Sequence, residues 1–500
     1  MKKIIHGLLA AASVMSPIML SADVANKTFI ADRGTLSSNC LIGLGSGAKD
    51  CKKDGLGADI TVAGFFRQSH NHTKLARYFG GGTTAADQNG TIEVDNTAAG
   101  ETQSLHGWQV DYTTTQTQAA HGTITLNPRR TEVGAQVQWN QCLNKLVKGL
   151  WFSVAAPVVY VRTEMRATYD QTANATDNAT TKGQGNNLSD IFEGGAAGKT
   201  SPFTQNVLTH QKLTSTYNHE TGVADVSAVL GYKFVEEANY SFSGSVHAKI
   251  PTGNKPAGVV AFEPIYGSRN FSFGAGLHGN FNLWRSEDKK SELNMHACGK
   301  YSYGFGAEQV RTLGLSSNTD GVVAQGHRIL AAKSATAILT PLANLSTLAV
   351  TVEPKSRLEA VAGFCYRFNR ISVDVAYNLF YNQAENVKVK ALWDETSYGL
   401  PMTGLSNETL EFTDAADIIG GGAGSTGAIL APGNTANSYT VDLSAATTPA
   451  QLVHKVGGGV NYKFETKLPI NIGVGADVEV SSNNQSLNSY SVWAKLGFSF

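Results

Sequence analysis

The chain has 500 residues, 42% of them hydrophobic, with 52 glycines, and its 40 Lys and Arg are balanced by 40 Asp and Glu. A net charge of zero argues against a nucleic-acid partner, which would call for a basic face. Five scattered cysteines exclude a disulfide-stapled scaffold, and after Ala22 no window supplies the roughly 20 consecutive apolar residues that a membrane-spanning helix needs.

Met1-Lys2-Lys3, the apolar stretch Ile4 to Leu20 and the small residues Ser21-Ala22 form a basic start, an apolar core and a cleavage site, so residues 1–22 read as a secretory signal peptide. Residues 23–56 show no alternation and are expected to form an N-terminal extension on the periplasmic side. Export puts the cysteines in an oxidising compartment, and the closeness of Cys40 and Cys51 in sequence predicts a disulfide between them. Cys142, Cys298 and Cys365 are expected reduced or modified. The run Gly43 to Lys49 lacks the spacing of a phosphate-binding loop and reads as a glycine loop.

From residue 57 a period of two recurs, the mark of strands with one apolar face. Ala58, Ile60, Val62, Gly64 and Phe66 oppose Asp59, Thr61 and Arg67; Val133, Ala135, Val137 and Trp139 oppose Glu132, Gln136 and Gln138. Phe152 to Tyr160 is apolar on both faces and contains Pro157, which predicts a bulge or an irregular strand. Further alternating stretches are Ala224 to Phe234, Tyr240 to Ile250, Phe271 to Leu283, Leu293 to Tyr303, Leu358 to Phe368, Ile371 to Tyr381, Leu452 to Phe464, Ile472 to Val480 and Ser489 to Phe500. The total is twelve. Gly107 to Thr113 and Gly122 to Leu126 either add a hairpin, making fourteen, or extend the first long loop. The links between strands alternate short (143–149, 235–239, 284–290, 369–370, 466–469) and mostly long (68–130, 169–221, 253–268, 305–355, 388–451), with 482–488 the exception. Only a closed sheet satisfies strand backbones in lipid, and short periplasmic turns with long extracellular loops are the asymmetry of such barrels.

In the last stretch Tyr490, Val492, Ala494, Leu496, Phe498 and Phe500 alternate with small or polar residues, and Trp493 alone breaks the pattern. A terminal strand of this kind resembles that of bacterial outer-membrane β-barrels of the porin-like class. The resemblance implies a Gram-negative outer membrane, contact with its lipid and with the barrel assembly machinery, and an assembly signal carried by Tyr490, Val492, Leu496, Phe498 and Phe500. On this orientation Phe234, Phe368, Phe464, Phe498 and Phe500 ring the periplasmic rim, and Tyr301, Tyr303, Tyr377, Tyr381 and Tyr490 the outer one. The fold class is therefore all-β, a closed antiparallel transmembrane barrel over 57–500.

The polar faces must point into the lumen. The expected lining comprises Arg67, Lys233, Lys249, His278, His296, Lys300, Arg357, Glu359, Arg367, Asp374, Lys455, Lys463, Asp477, Glu479 and Lys495. Lys233, Arg367, Lys463 and Lys495 suggest a basic collar in the periplasmic half. His454, the histidine on an apolar strand face near the outer interface, has no serine motif on its neighbouring strand that would mark it as catalytic and reads as an interfacial histidine. His70-Asn71-His72 lacks the Cys or carboxylate companions of a metal site. No catalytic group, metal or cofactor is expected. The function read from the sequence is a channel for passive diffusion of small hydrophilic solutes, with a closed surface barrel or adhesin, and then a barrel enzyme, as alternatives.

Overall fold

The computed structural model describes residues 23–42, 57–80, 90–95, 105–106, 110–111, 120–171, 187–195, 204–317, 321–322, 325–333, 338–391, 398–399, 439–466 and 468–500. The signal read over 1–22, the glycine loop and Cys51 lie outside them.

Alternation produces twelve wall strands: β1 (Ala58–His70), β2 (Arg129–Cys142), β3 (Leu150–Glu164), β4 (Tyr217–Val223 continuing as Val226–Glu236), β5 (Tyr240–Ile250), β6 (Ser272–Arg285), β7 (Ser291–Gly304), β8 (Lys355–Phe368), β9 (Ile371–Asn382), β10 (Gln451–Phe464), β11 (Ile470–Ser481) and β12 (Asn488–Ser499). Each is antiparallel to its sequence neighbour, and the sheet shuts where β12 meets β1, from Asp59 opposite Ser499 to His70 opposite Asn488. Ala58 and Phe500 exchange both backbone hydrogen bonds at the rim, at 2.8 and 2.9 Å. Closure removes the unpaired edge that an open sheet would present. Of the extra hairpin, Gly107 to Thr113 lies mostly outside the described residues, and the other half does not enter the wall: Gly122–Thr125 pairs with Thr91–Asp95 and Thr168–Gln171 in a small sheet outside it.

The outer surface carries what the alternation predicts. Val62, Val137, Leu230, Val246, Leu277, Phe364, Val375, Val456, Val474 and Val492 are exposed around the circumference. Such a belt is stable against lipid and not against water. Phe234, Phe368, Phe464 and Phe500 are exposed at the turn end, and Tyr301, Tyr303, Tyr377 and Tyr490 at the loop end. Among the described residues no helix is long and apolar enough to cross a membrane.

The irregularity expected at Pro157 falls on its partner. β3 runs unbroken, while β4 is interrupted at Ala224 and Asp225, between the pairs Val158 opposite Val223 and Ala155 opposite Ser227. Pro157 accepts from the Ala224 N–H but has no N–H to return. The extra residue, Asp225, turns inward, accepts from Ser268 N at 2.6 Å and pairs with Lys249 at 3.5 Å.

The apolar inner face of β3 also has an explanation. Val159 and Val161 pack in the lumen against Ile42, Ala63, Phe65, Ala224, Tyr266 and Trp493. Trp493 departs from the alternation because its indole points inward, over Gly459 and Gly475. A Cβ at Gly475 would lie 2.3 Å from the ring, so glycine keeps this space open. Above the wall the loops build a core of their own around the helix His72–Gly80, with Leu75, Tyr78, Phe79, Ile92, Val94, Leu105, Ile124, Leu188 and Phe192 buried together.

Candidate functional site

Residues 23–42 correct the expectation of a periplasmic extension, because they descend inside the barrel from its outer end. Asp23 pairs with Arg77 at 3.3 Å, and Val24 donates to Asn484 at 2.8 Å, both among the extracellular loops. Ile42 accepts from Lys495 Nζ at 2.9 Å, about halfway down β12. The intervening residues hold almost no regular structure, only the single turn Thr35–Ser38. Without a helix or ladder their backbone and polar groups take partners from the wall.

Arg33 is the centre of that attachment. Its guanidinium meets Glu359 of β8 and Glu479 of β11, each at 3.1 Å, donates to Asn378 of β9, and lies 4.5 Å from the Phe380 ring centroid. Arg33 is buried, and Glu479 is shared with Lys455 at 3.0 Å. Lys455 also meets Asp477 at 3.0 Å and donates to the carbonyl of Ser38. On the other side of the lumen Thr35 donates to Glu132 at 2.6 Å, Asn39 donates to Gln136 at 3.2 Å, and Arg67 bridges Glu132 at 3.2 Å and Asn39 at 2.7 Å. One aperiodic segment thus saturates charges on β1, β2, β8, β10 and β11.

Of the predicted lining, Arg67, Glu359, Lys455, Asp477, Glu479 and Lys495 come together around this plug. Lys300 sits opposite Glu359 in the ladder. Lys249 is taken by Asp225, and Arg357 lies 5.5 Å from the Phe380 centroid. His278 hydrogen-bonds Ser245 at 2.9 Å, His296 faces Gly363 across the ladder, and Asp374 accepts from Asn461 at 2.6 Å. The cations of the expected collar take separate partners: Arg367 pairs with Glu292 at 3.0 Å, Lys233 with Glu236 at 2.9 Å, and Lys495 donates to Ile42 O at 2.9 Å. Sequence reasoning missed Arg33, Thr35, Asn39 and Asn378. The inward Trp493 and the doubly apolar β3 were the signals that something lay inside.

The cysteines also depart from expectation. Cys40 is a free thiol, so the Cys40–Cys51 pairing is not formed. It lies in the lumen with Arg33 Nη2 4.0 Å from its sulfur. Cys142, expected reduced, is disulfide-bonded, at the end of β2 where its N–H donates to Gly57 O at 2.8 Å. Nearness in sequence was the wrong guide, because the plug carries Cys40 away from the rim. Neither Cys298 nor Cys365 is disulfide-bonded.

His454 has partners that the sequence did not reveal: Tyr377 OH 2.7 Å from Nδ1 and Ser482 Oγ 3.2 Å from Nε2. Ser482 lies just past β11, and its N–H donates to Leu452 O at 3.0 Å. His72 is bonded to Pro128 O at 2.8 Å, and no cluster of metal-ligand type is found among the described residues.

A closed antiparallel sheet with an apolar belt, two aromatic rims and a polar interior defines an outer-membrane β-barrel of the porin-like class. No family model and no curated protein sequence matches the chain. Among solved structures it is similar to an outer-membrane channel from Pseudomonas putida F1 (9% identity, 89% of this chain and 96% of that one, TM-score 0.39). It is also similar to the Pseudomonas putida toluene transporter TodX (10%, 96% and 98%, 0.36) and to the translocator domain of the autotransporter NalP from Neisseria meningitidis (6%, 93% and 94%, 0.31). The assignment of the fold rests on the closed ladder itself.

Proposed function

We propose that this protein is an outer-membrane channel for small hydrophilic solutes, closed at rest by its own N-terminal segment. The observation that carries the reading is how the segment is held. Its contacts with the wall are mainly hydrogen bonds and ion pairs, which water can replace when the segment moves, so the lumen remains a polar conduit once vacated. A permanently closed barrel is filled by the side chains of its own wall, as in eight-stranded barrels, whereas here Arg33, Thr35 and Asn39 of the segment fill the space between Glu479 on one side and Glu132 and Gln136 on the other. The Tyr377–His454–Ser482 group is read as an anchor at the outer interface and not as a catalytic centre.

Recording in planar bilayers tests the proposal. The expected result is rare openings in the unaltered protein that become frequent when the segment is loosened, with small ions and sugars as permeants. A barrel that never conducts, even with the segment loosened, leaves the closed surface protein as the better reading. The barrel assembly machinery enters as the partner that recognises the terminal strand, and deletion of Phe500 is the corresponding test.

A further inference from the structure

The pocket that receives Arg33 is built by the wall. Nη1 donates to Glu479 of β11 and Nη2 to Glu359 of β8, each at 3.1 Å, and Nη2 also donates to Asn378 of β9. Nε is satisfied by the segment's own Ser37 at 3.0 Å. The wall thus reads only the two terminal nitrogens, the part of the group that a molecule with no peptide chain attached also possesses.

Two wall residues are shaped to this group. Asn378 turns its amide so that Nδ2 donates to Ala360 O at 3.0 Å and to Glu359 at 3.4 Å, which leaves Oδ1 as the acceptor facing the guanidinium. Phe380 is an aromatic ring on an inner face of β9 otherwise made of Ser372, Asp374, Ala376, Asn378 and Asn382; it is fully buried, with Arg33 Cζ 4.5 Å from its centroid. Such a ring attracts a cation through its quadrupole. Excess charge is not what selects the occupant. With Arg33 withdrawn, Lys300, Arg357 and Lys455 match Glu359, Asp477 and Glu479 in number, so this part of the wall is neutral. Selection falls to geometry: carboxylates on two strands are served by different nitrogens of one planar, weakly hydrated cation, whereas an ammonium brings a single nitrogen and a tightly held water shell. Lys455 keeps Glu479 when the segment leaves, but among the described residues Arg33 is the only cation within ion-pair distance of Glu359. Glu359 is therefore the carboxylate that a newcomer must serve.

We propose that this pocket is the solute site of the channel and that its solutes carry a guanidinium group, with Arg33 as the tethered occupant that they displace. The inference rests on the reading of the segment as a gate. The chain holds Arg33 at a high effective concentration, so a free guanidinium competes at a disadvantage while the segment is seated and binds unopposed once it is out.

The test is equilibrium binding of labelled L-arginine to the full-length Arg33→Ala barrel in detergent, its folding certified by heat-modifiable migration. Binding should saturate at one molecule per barrel and be displaced by methylguanidine but not by methylamine or L-lysine. Adding Glu359→Gln should weaken it by roughly tenfold or more, the usual consequence of removing one partner of a hydrogen-bonded charge pair. In the protein with Arg33 intact and Cys298 and Cys365 replaced by Ser, L-arginine should speed maleimide labelling of Cys40 relative to L-lysine at equal ionic strength. A folded Arg33→Ala barrel that does not bind L-arginine, binds L-lysine equally well, or keeps its affinity after Glu359→Gln overturns the proposal. If Arg33→Ala does not fold, the labelling comparison decides, and equal rates with the two amino acids overturn it. Neither measurement needs a current. Binding by a barrel that never conducts refutes the channel and leaves a guanidinium site standing, whereas conduction without binding refutes the site and leaves the channel.

Discussion

Arg33→Ala is the sharpest probe of the plug. The side chains it disconnects are deeply buried: Arg33 is 1% exposed, Glu359 12% and Glu479 4%. Removing one member of a buried ion pair costs about 3–5 kcal/mol. Glu479 keeps Lys455 at 3.0 Å and Glu359 keeps Ser37 at 3.3 Å, which favours the low end of that range. A loss of about 3 kcal/mol moves the balance between seated and displaced segment roughly a hundredfold, at about 1.4 kcal/mol per factor of ten. Two assays read it. Open probability in planar bilayers should rise by about that factor where the unaltered protein opens rarely. Labelling of Cys40 by a charged maleimide, with Cys298 and Cys365 replaced by Ser, should accelerate similarly, since Cys40 rides on the segment. Retained heat-modifiable migration certifies the barrel. A folded Arg33→Ala barrel that opens and labels at the original rates would refute the reasoning, because the segment would then be held by something other than this pair of carboxylates.

The remaining expectations are more local. Deleting Phe500 should lower the amount of assembled barrel far more than the amount exported, since it removes the last lipid-facing ring and the rim hydrogen bonds to Ala58; equal levels in outer-membrane fractions would contradict this. Thiol mapping of the folded protein should find Cys40, Cys298 and Cys365 free and Cys142 blocked until reductant is added. A labelled Cys142 without reductant would count against that pattern. His327, buried in the loop layer, is held well below its ordinary pKa by burial and by Arg328. A folded pKa below the unfolded one means that the unfolded state binds more protons, so stability is complete above about pH 6.5 and falls as the pH drops through that value. Melting followed from pH 8 to pH 5 should show a decline that His327→Gln reduces, and identical profiles would exclude the histidine as its cause.

The wall was legible because period two is a local property: each strand declares its face within a dozen residues, and the alternation of link lengths orders the strands. The bulge was legible as an event but not as a position, since Pro157 withholds a hydrogen bond from its partner and the partner bends. The plug was not legible. Arg33 meets Glu359 and Glu479 across more than 300 residues of sequence, and an aperiodic segment advertises neither element nor depth. Its cavity left traces in the wall, in Trp493 and in the inner valines of β3, that have meaning only once an occupant is known. The partners of the candidate lining were not legible either, because whether lysines stand as a collar depends on which carboxylates reach them.

The course of the N-terminal segment also constrains the order of events during biogenesis. Its first described residues lie among the outer loops, Ile42 lies midway down the lumen, and β1 starts at the opposite rim. The wall is sealed by β1 and β12, the two strands most distant in the chain. A segment joined to β1 is threaded most directly while that seam is still open, and zipping the seam then traps it. Once shut, the barrel allows withdrawal only along its axis, as a hairpin drawn toward the rim from which β1 rises. Entry during assembly and withdrawal from the closed barrel are thus separate processes, each with its own barrier.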